Sequence, residues 1–505
     1  MPNWLGKLLR KTTAGGSPSL ECDDLVREAL AQQQAGRLDE AERKLYRALA
    51  LEPASAAVHL HLGNLFRQLG RHDTALNCCL EAVRLAPDLP QGHNNLGNAY
   101  QDLGQLEAAI AEFGRAIALD GGLAEAHFNL GLAYHLRGDH REAARSYRAA
   151  LRVKPDFADA QLNLGNLLEE EGDVQAAILS YRRAVAVEPG RVEAHVNLGM
   201  QLLLAGRYAE GWQEYEWRQR YPEYASSAAV AARWDGGALE GKRILLDTEQ
   251  GFGDAIQFLR YAPLVAQRGG QVVVRCAPEL ASLFRRTEGI RQVILRDTPP
   301  PAFDAHCPLP SLPLVFGTEL ASIPARVPYV SAEPGQIAHW RTKLAASAGA
   351  FKVGLVWASQ SKHRTAAAKS FPLTALGPLA AIPGVRYFSL QKGEAARQAG
   401  RPPEGLKIEY RAVDLRDFSD TAAAIANLDL VISVDTAVAH LAGALGRPVW
   451  TLLKYAPDWR WLLARDDSPW YPTMRLFRQK VPSNWSSVIE DVARALQKLA
   501  ERAPR

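Results

Sequence analysis

The sequence predicts a helical repeat solenoid over roughly its first two-fifths, followed by an α/β region of two facing doubly wound domains. Three observations carry this. Glycines recur every 34 residues from Gly36 to Gly206, apolar β-like runs alternate with amphipathic stretches from Arg243 onward, and a Gly251-Phe-Gly-Asp254 loop joins the first of those runs to a helix. At 505 residues the chain exceeds what one core holds. Its 47% hydrophobic and 23% charged residues fit a soluble globular protein, and a formal charge of +4 gives no argument for nucleic acid. Five cysteines (Cys22, Cys78, Cys79, Cys276, Cys307) are few, odd in number and without metal-ligand spacing, which fits reduced thiols in a cytoplasmic protein with no metal site. No apolar run approaches the ~18 residues of a membrane span.

Residues 1–19 read as a flexible N-terminus. Met1 to Lys11 carries Trp4, Leu5, Leu8 and Leu9 among Lys7, Arg10 and Lys11, too short and too basic for a signal peptide. A weak interfacial helix is the alternative to a frayed end, and no membrane contact is expected.

The repeat array is placed at 20–223, about six units. Gly63, Gly97, Gly131, Gly165 and Gly199 lie 34 apart, and Gly36, Gly70, Gly104, Gly138, Gly172 and Gly206 keep the same step. Pro53, Pro87, Pro155 and Pro189 mark repeat ends, with Gly121 where one proline is missing. Each unit reads as two amphipathic helices that cannot bury their apolar face alone, so stacking builds the core and a concave groove. The first glycine set lets neighbouring helices approach, and the second ends a helix in the left-handed conformation. Asn95, Asn129, Asn163 and Asn197 also recur once per repeat, with His61 interrupting the series. A ladder of amides can hold the backbone of an extended acceptor peptide, or it can cap and bridge the helices themselves.

The repeat then decays into Trp212, Tyr215, Trp217, Tyr221, Tyr224 and Trp234, expected to cover the last face of the solenoid, with 224–242 as the junction. Beyond it, strands are predicted at Ile244–Leu246, Val272–Arg275, Gln292–Leu295, Lys352–Trp357, Val385–Ser389, Leu428–Ser433 and Val449–Leu453. Helices are predicted at Asp254–Arg268, Leu373–Ala381 and Ala437–Leu445. Prolines at 324–328 divide this region into halves, 243–325 and 326–505, with a ligand cleft between the carboxyl ends of their strands. The final helix, about Trp485 to Arg502, is expected to pack back on the first half. A dinucleotide site fails on two counts: the third glycine is missing, and the second strand ends in Arg275 rather than an acidic residue.

Two stretches carry chemistry. In Leu245 to Gln257 a strand enters a loop with Gly251 and Gly253 and then a helix, where backbone N–H groups can approach a ligand and Asp254 projects a carboxylate. In Leu430 to Pro448 a buried strand ends at Asp435, Thr436 opens a helix, and His440 lies one turn along the same face. Hydroxyl, helix N-terminus and imidazole suit a diphosphate. The alternatives are an N-cap at Asp435 or Thr436 and a packed core histidine. Gln391, after the strand Val385–Ser389, is placed to contact base or ribose. Lys362, His363 and Arg364 form either a cationic loop at the cleft mouth or a solvated charge run. The aromatics of Asp458-Trp-Arg-Trp and Ser468-Pro-Trp-Tyr-Pro serve either as stacking planes or as packing.

The repeat resembles the tetratricopeptide repeat, and its amide ladder is similar to that of the eukaryotic O-GlcNAc transferase. Gly-x-Gly-Asp at 251–254, Lys369-Ser-Phe-Pro, and Val-Asp-Thr-x-x-x-His ending at His440 resemble heptosyltransferase-type glycosyltransferases (family 9) of the GT-B fold. The resemblance spans most of 243–480. A repeat array ahead of such a domain is similar in architecture to O-GlcNAc transferases and bacterial flagellin-type protein glycosyltransferases. It implies Asp254 as general base, Lys369 balancing phosphate charge, and Asp435, Thr436 and His440 holding the nucleotide diphosphate. Gly251, Gly253, Gln257 and Gln391 are assigned to the same nucleotide-sugar site from their positions in the sequence. Ala437 departs from the glycine usual in the family motif. No Asp-x-Asp motif is present, in keeping with metal-independent inverting transfer that needs no cofactor beyond the nucleotide sugar. The expected function is sugar transfer to a protein acceptor. The alternatives are a non-catalytic scaffold with a degenerate transferase domain, or transfer to a glycan or lipid-linked acceptor.

Overall fold

A computed structural model describes residues 20–222, 224, 232–249, 251–344, 350–360, 367–410 and 414–502. The N-terminal segment and the cationic loop of Lys362, His363 and Arg364 lie outside the described residues. By contact the chain divides after Arg191 into two compact units.

Among the described residues the first unit is five helix pairs: Leu20–Gln34 with Leu38–Leu51, Ala56–Gln68 with His72–Leu85, Pro90–Asp102 with Leu106–Leu119, Ala124–Arg137 with His140–Val153, and Ala158–Glu170 with Val174–Val187. Both glycine sets do what their spacing predicts. Gly36, Gly70, Gly104, Gly138 and Gly172 turn between the helices of each pair at φ of 72 to 93°, where a Cβ would be strained. Gly97, Gly131 and Gly165 lie against the rings of Phe113, Tyr147 and Tyr181, where a Cβ would stand 2.6–2.7 Å from ring carbons. A third series escaped the sequence reading. His59, His93 and His127 each place Nε2 within 2.8–3.1 Å of the carbonyl six residues earlier, on Pro53, Pro87 and Gly121. They tie the inter-repeat loop to the next helix and satisfy carbonyls left open there.

The sixth pair, Val192–Leu204 and Tyr208–Tyr215, continues into a 3₁₀ turn at Glu216–Arg220 and clusters with the α/β part. Its attachment is aromatic. Trp212 is buried, donates Nε1–H to the Thr318 carbonyl at 3.0 Å, and meets Phe258, Trp459 and Trp470 edge-on.

That second unit holds two parallel sheets. The first comprises β1 (Ala232–Arg233), β2 (Arg243–Asp247), β3 (Gln271–Cys276), β4 (Ile290–Leu295) and β5 (Ala305–Pro308), ordered β1-β5-β2-β3-β4. The second comprises β6 (Phe351–Val356), β7 (Val385–Ser389), β8 (Ile408–Tyr410), β9 (Leu430–Val434), β10 (Val449–Leu453) and β11 (Met474–Arg478), ordered β11-β10-β9-β6-β7-β8. In each, the chain runs outward on one side of its first central strand and then crosses to the other side. That reversal opens a crevice at the carboxyl ends of β2 and β5, and of β6 and β9. Every residue of β9 and β10 is buried, as a sheet covered on both faces requires.

Two expectations are corrected. The final helix Trp485–Arg502 packs Val488, Ile489, Val492 and Leu496 into the core of the second sheet beside Trp450 and Phe477, not on the first half. Its apolar stripe repeats at helical spacing and covers sheet surface that would otherwise be wet. Leu373–Ala381 is helical but of 3₁₀ type, because Pro378 removes a donor from its interior.

Candidate functional site

The loop after β2 is built to be held still. Gly251, at φ 101°, adopts a backbone that L-residues avoid and opens the helix Phe252–Phe258. Arg296 donates Nη2–H to the carbonyls of Thr248 (3.1 Å) and Glu249 (2.9 Å). The Glu249 carboxylate accepts from the buried Arg218 through Nε (3.0 Å) and Nη2 (2.9 Å), and that guanidinium also reaches Ser311 Oγ at 2.7 Å. A Cβ on Gly253 would stand 2.9 Å from His440 Cδ2 and 3.8 Å from Ala437 Cα. Gly253 therefore lets the helices Phe252–Phe258 and Ala437–Ala444 meet, which joins the two carboxyl-end crevices. At β3, Arg275 donates Nε–H to Asp247 at 3.0 Å, an internal ion pair where a dinucleotide fold needs an acid for ribose.

At that junction three carboxylates, two cations and one imidazole come together from positions up to 206 residues apart. Arg460, nearly buried, donates to Asp254 Oδ1, to Gln257 Oε1 (Nε, 2.6 Å) and to Asp458 Oδ1 (Nη1, 2.7 Å). Lys369 Nζ lies 2.6 Å from Asp435 Oδ2. Burial raises the Asp254 carboxyl above its ordinary value against the opposing pull of Arg460. For Asp458 burial acts the same way, yet Arg460 and Lys369 outweigh it and hold the group at about 2. Burial opposes the Lys369 ammonium, but Asp435 and Asp458 prevail and its pKa is raised. Asp254 keeps a third of its side chain in solvent, and only its Oδ1 is engaged by Arg460. Thr436 caps the helix Ala437–Ala444 by backbone geometry, and its Oγ1 pairs with Ser433 Oγ at 3.0 Å.

Several expected contacts move. Gln257 is fully buried and its carbonyl holds Arg460, so it positions a cation rather than meeting a ligand. Gln391 is 1% exposed. Its Oε1 accepts from the Trp357 and Ala358 N–H groups, and its Nε2 donates to the Ala358 and Lys392 carbonyls, leaving nothing for base or ribose. Asp435 is bonded to the lysine; a carboxylate beside a phosphate acts through such a cation. His440 is buried, stacked on Trp461 and bonded through Nδ1 to Tyr471 Oη at 2.9 Å. Burial lowers it to about 3, so the ring is neutral and brings no cationic charge to a diphosphate. Trp459, Trp461, Trp470 and Tyr471 are buried and serve as packing, not as sugar-stacking planes. Arg460 and Asp458 were overlooked because they lie within that aromatic segment; the acid two residues before an arginine was the available signal.

The amide ladder is partly satisfied from within. Asn129 Nδ2 donates to Asn94 Oδ1 (3.0 Å) across neighbouring repeats, Asn163 Nδ2 donates to the Asp159 carbonyl (2.9 Å), and Asn95 Oδ1 receives Asn94 Nδ2 at 3.5 Å. Asn197 falls in the second unit.

Residues 63–138 match the TPR repeat, residues 137–186 match the Tetratricopeptide repeat, and residues 413–481 match Glycosyltransferase family 9 (heptosyltransferase). The last segment holds Asp435, Thr436, His440, Asp458 and Arg460. The chain carries tetratricopeptide repeats and a glycosyltransferase family 9 domain. It is 31% identical over 325 residues to Protein FlbA of Caulobacter vibrioides, covering 59% of this chain and 54% of FlbA, so it spans about half the length of that relative. Among solved structures it is similar to MamA (27% identity, 33% of this chain and 96% of that one, TM-score 0.29). It is also similar to a thermophilic TPR protein of Thermus thermophilus (25%, 36% and 99%, TM-score 0.34). The solenoid followed by an α/β domain of parallel sheets agrees with a GT-B-like glycosyltransferase.

Proposed function

We propose that this protein is a cytoplasmic, inverting glycosyltransferase that moves a sugar from a nucleotide-sugar donor to a protein acceptor recruited by the repeats. In this reading Asp254 takes the proton of the acceptor hydroxyl as oxygen attacks the anomeric carbon, while the bond to the donor diphosphate breaks on the opposite face. Lys369, Arg460 and the N–H groups opening the helix Ala437–Ala444 stabilise the charge that develops on the leaving diphosphate, an arrangement that works without a metal. Asp435 and Asp458 hold the two cations in place.

The observation that carries the reading is the solvent-touching Asp254 carboxylate, its pKa raised by burial, beside two fixed cations in one crevice. A second reading, a non-catalytic scaffold, draws on the Arg460–Asp254 ion pair, since a carboxylate bound to a guanidinium is a weaker base. One experiment separates them. Asp254→Ala is expected to abolish transfer while leaving donor binding nearly unchanged; transfer at the full rate would place the base elsewhere.

A further inference from the structure

Away from the crevice, a cavity of about 960 Å³ opens between edge strand β11 and the final helix Trp485–Arg502. Seven arginine and lysine side chains line it against two carboxylates, Asp466 and Asp491, while the whole chain carries a formal charge of only +4. Positive charge is therefore gathered here. Only part of it is neutralised: Lys480 and Arg494 share Asp491, and Arg465 is paired with Asp467. Arg475, Arg478, Lys498 and Arg502 make no ion pair among the described residues. Arg478 is partly buried and donates only to the carbonyls of Arg465 (Nε, 2.7 Å) and Trp461. Burial lowers it to about 10, and the nearby Asp466 carboxylate offsets only part of that. Arg494, Lys498 and Arg502 follow at four-residue spacing and so share one helix face.

We infer that this cavity is a second anion site, separate from the crevice, which takes a small molecule bearing a diphosphate or two phosphate groups. Guanidinium forks match phosphate oxygens in pairs. The volume lies within the ~300–1,000 Å³ of small-molecule sites, and concavity favours such a ligand over an extended polyanion. The inference does not depend on the transfer reaction.

Inorganic pyrophosphate titrated calorimetrically into the full chain tests it. Because the crevice would also bind this probe, the titration uses a Lys369→Ala background. One binding event is expected to remain there, tighter than with orthophosphate. Adding Arg494→Ala, Lys498→Ala and Arg502→Ala, all at exposed positions that spare the fold, is expected to weaken it at least tenfold. No binding in the Lys369→Ala background, or binding indifferent to the triple substitution, would overturn the inference. Binding confined to phosphatidylglycerol vesicles or to a single-stranded oligonucleotide, without pyrophosphate, would overturn it as well.

Discussion

Replacing Arg460 by methionine removes one charge from the centre of the site and keeps most of its bulk. The guanidinium donates to Asp254, Gln257 and Asp458, so the variant strips three acceptors at once. Breaking a buried ion pair costs about 3–5 kcal/mol. The low end, about 3, applies here because Asp254 keeps a third of its side chain in water. In a unit larger than ~250 residues about 3 kcal/mol lowers the melting temperature by roughly 6 °C, the low end of the range for smaller domains. Activity changes in a way a purely structural role does not predict. Asp254 must be ionised to accept a proton, and losing a neighbouring positive charge disfavours the ionised form, so the acid limb of kcat/KM moves to higher pH. At neutral pH kcat/KM falls about 10²-fold from the misplaced carboxylate. Calorimetry and a pH–rate profile read both effects. An unchanged acid limb, or one moved to lower pH, would refute the coupling of Arg460 to Asp254.

Gln391→Ala should cost about 2–3 kcal/mol in thermal denaturation, since two backbone N–H groups and two carbonyls lose their partner, while preference among nucleotide bases stays the same. A changed base preference would restore the ligand contact. His440 imidazole NMR resonances should show no protonation down to pH 4, because its folded pKa of about 3 lies below the ordinary value, and the stability tied to the neutral ring is lost only as pH falls from ~6.5 toward 3. A titration near pH 6.5 would contradict this. In the solenoid, Gly131→Ala drives a Cβ into the Tyr147 ring and should cost about 1–3 kcal/mol in calorimetry. Gly104→Ala meets no neighbour but must hold φ 73°, so its cost should be smaller, about 1 kcal/mol.

The solenoid was legible because its signal is periodic: two glycine sets at a fixed step leave no other architecture. Most buried central strands were nearly as clear, with Val385–Ser389 and Val449–Leu453 matching their predicted bounds. Four strands escaped notice: Ala232–Arg233, Ala305–Pro308 and Ile408–Tyr410 for their shortness, and Met474–Arg478 because charge breaks its apolar run. At the site, Asp254, Lys369, Asp435 and His440 converge as their motifs suggest. What sequence could not tell is direction. Gln257 and Gln391 sit at positions beside the cleft but turn inward, and His440 is made neutral by neighbours, Trp461 and Tyr471, that lie 21 and 31 residues away. Arg460 went unremarked because its partners come from both halves of the α/β unit, and no local pattern announces that.

The central claim is that the crevice between the two sheets binds a nucleotide sugar. A thermal-shift screen against UDP-, GDP-, ADP-, CMP- and dTDP-sugars, on wild type and on Lys369→Ala, tests it most directly. The account predicts a raised midpoint with one nucleotide class, absent in the variant. No shift with any of them, or an equal shift in both proteins, would contradict it.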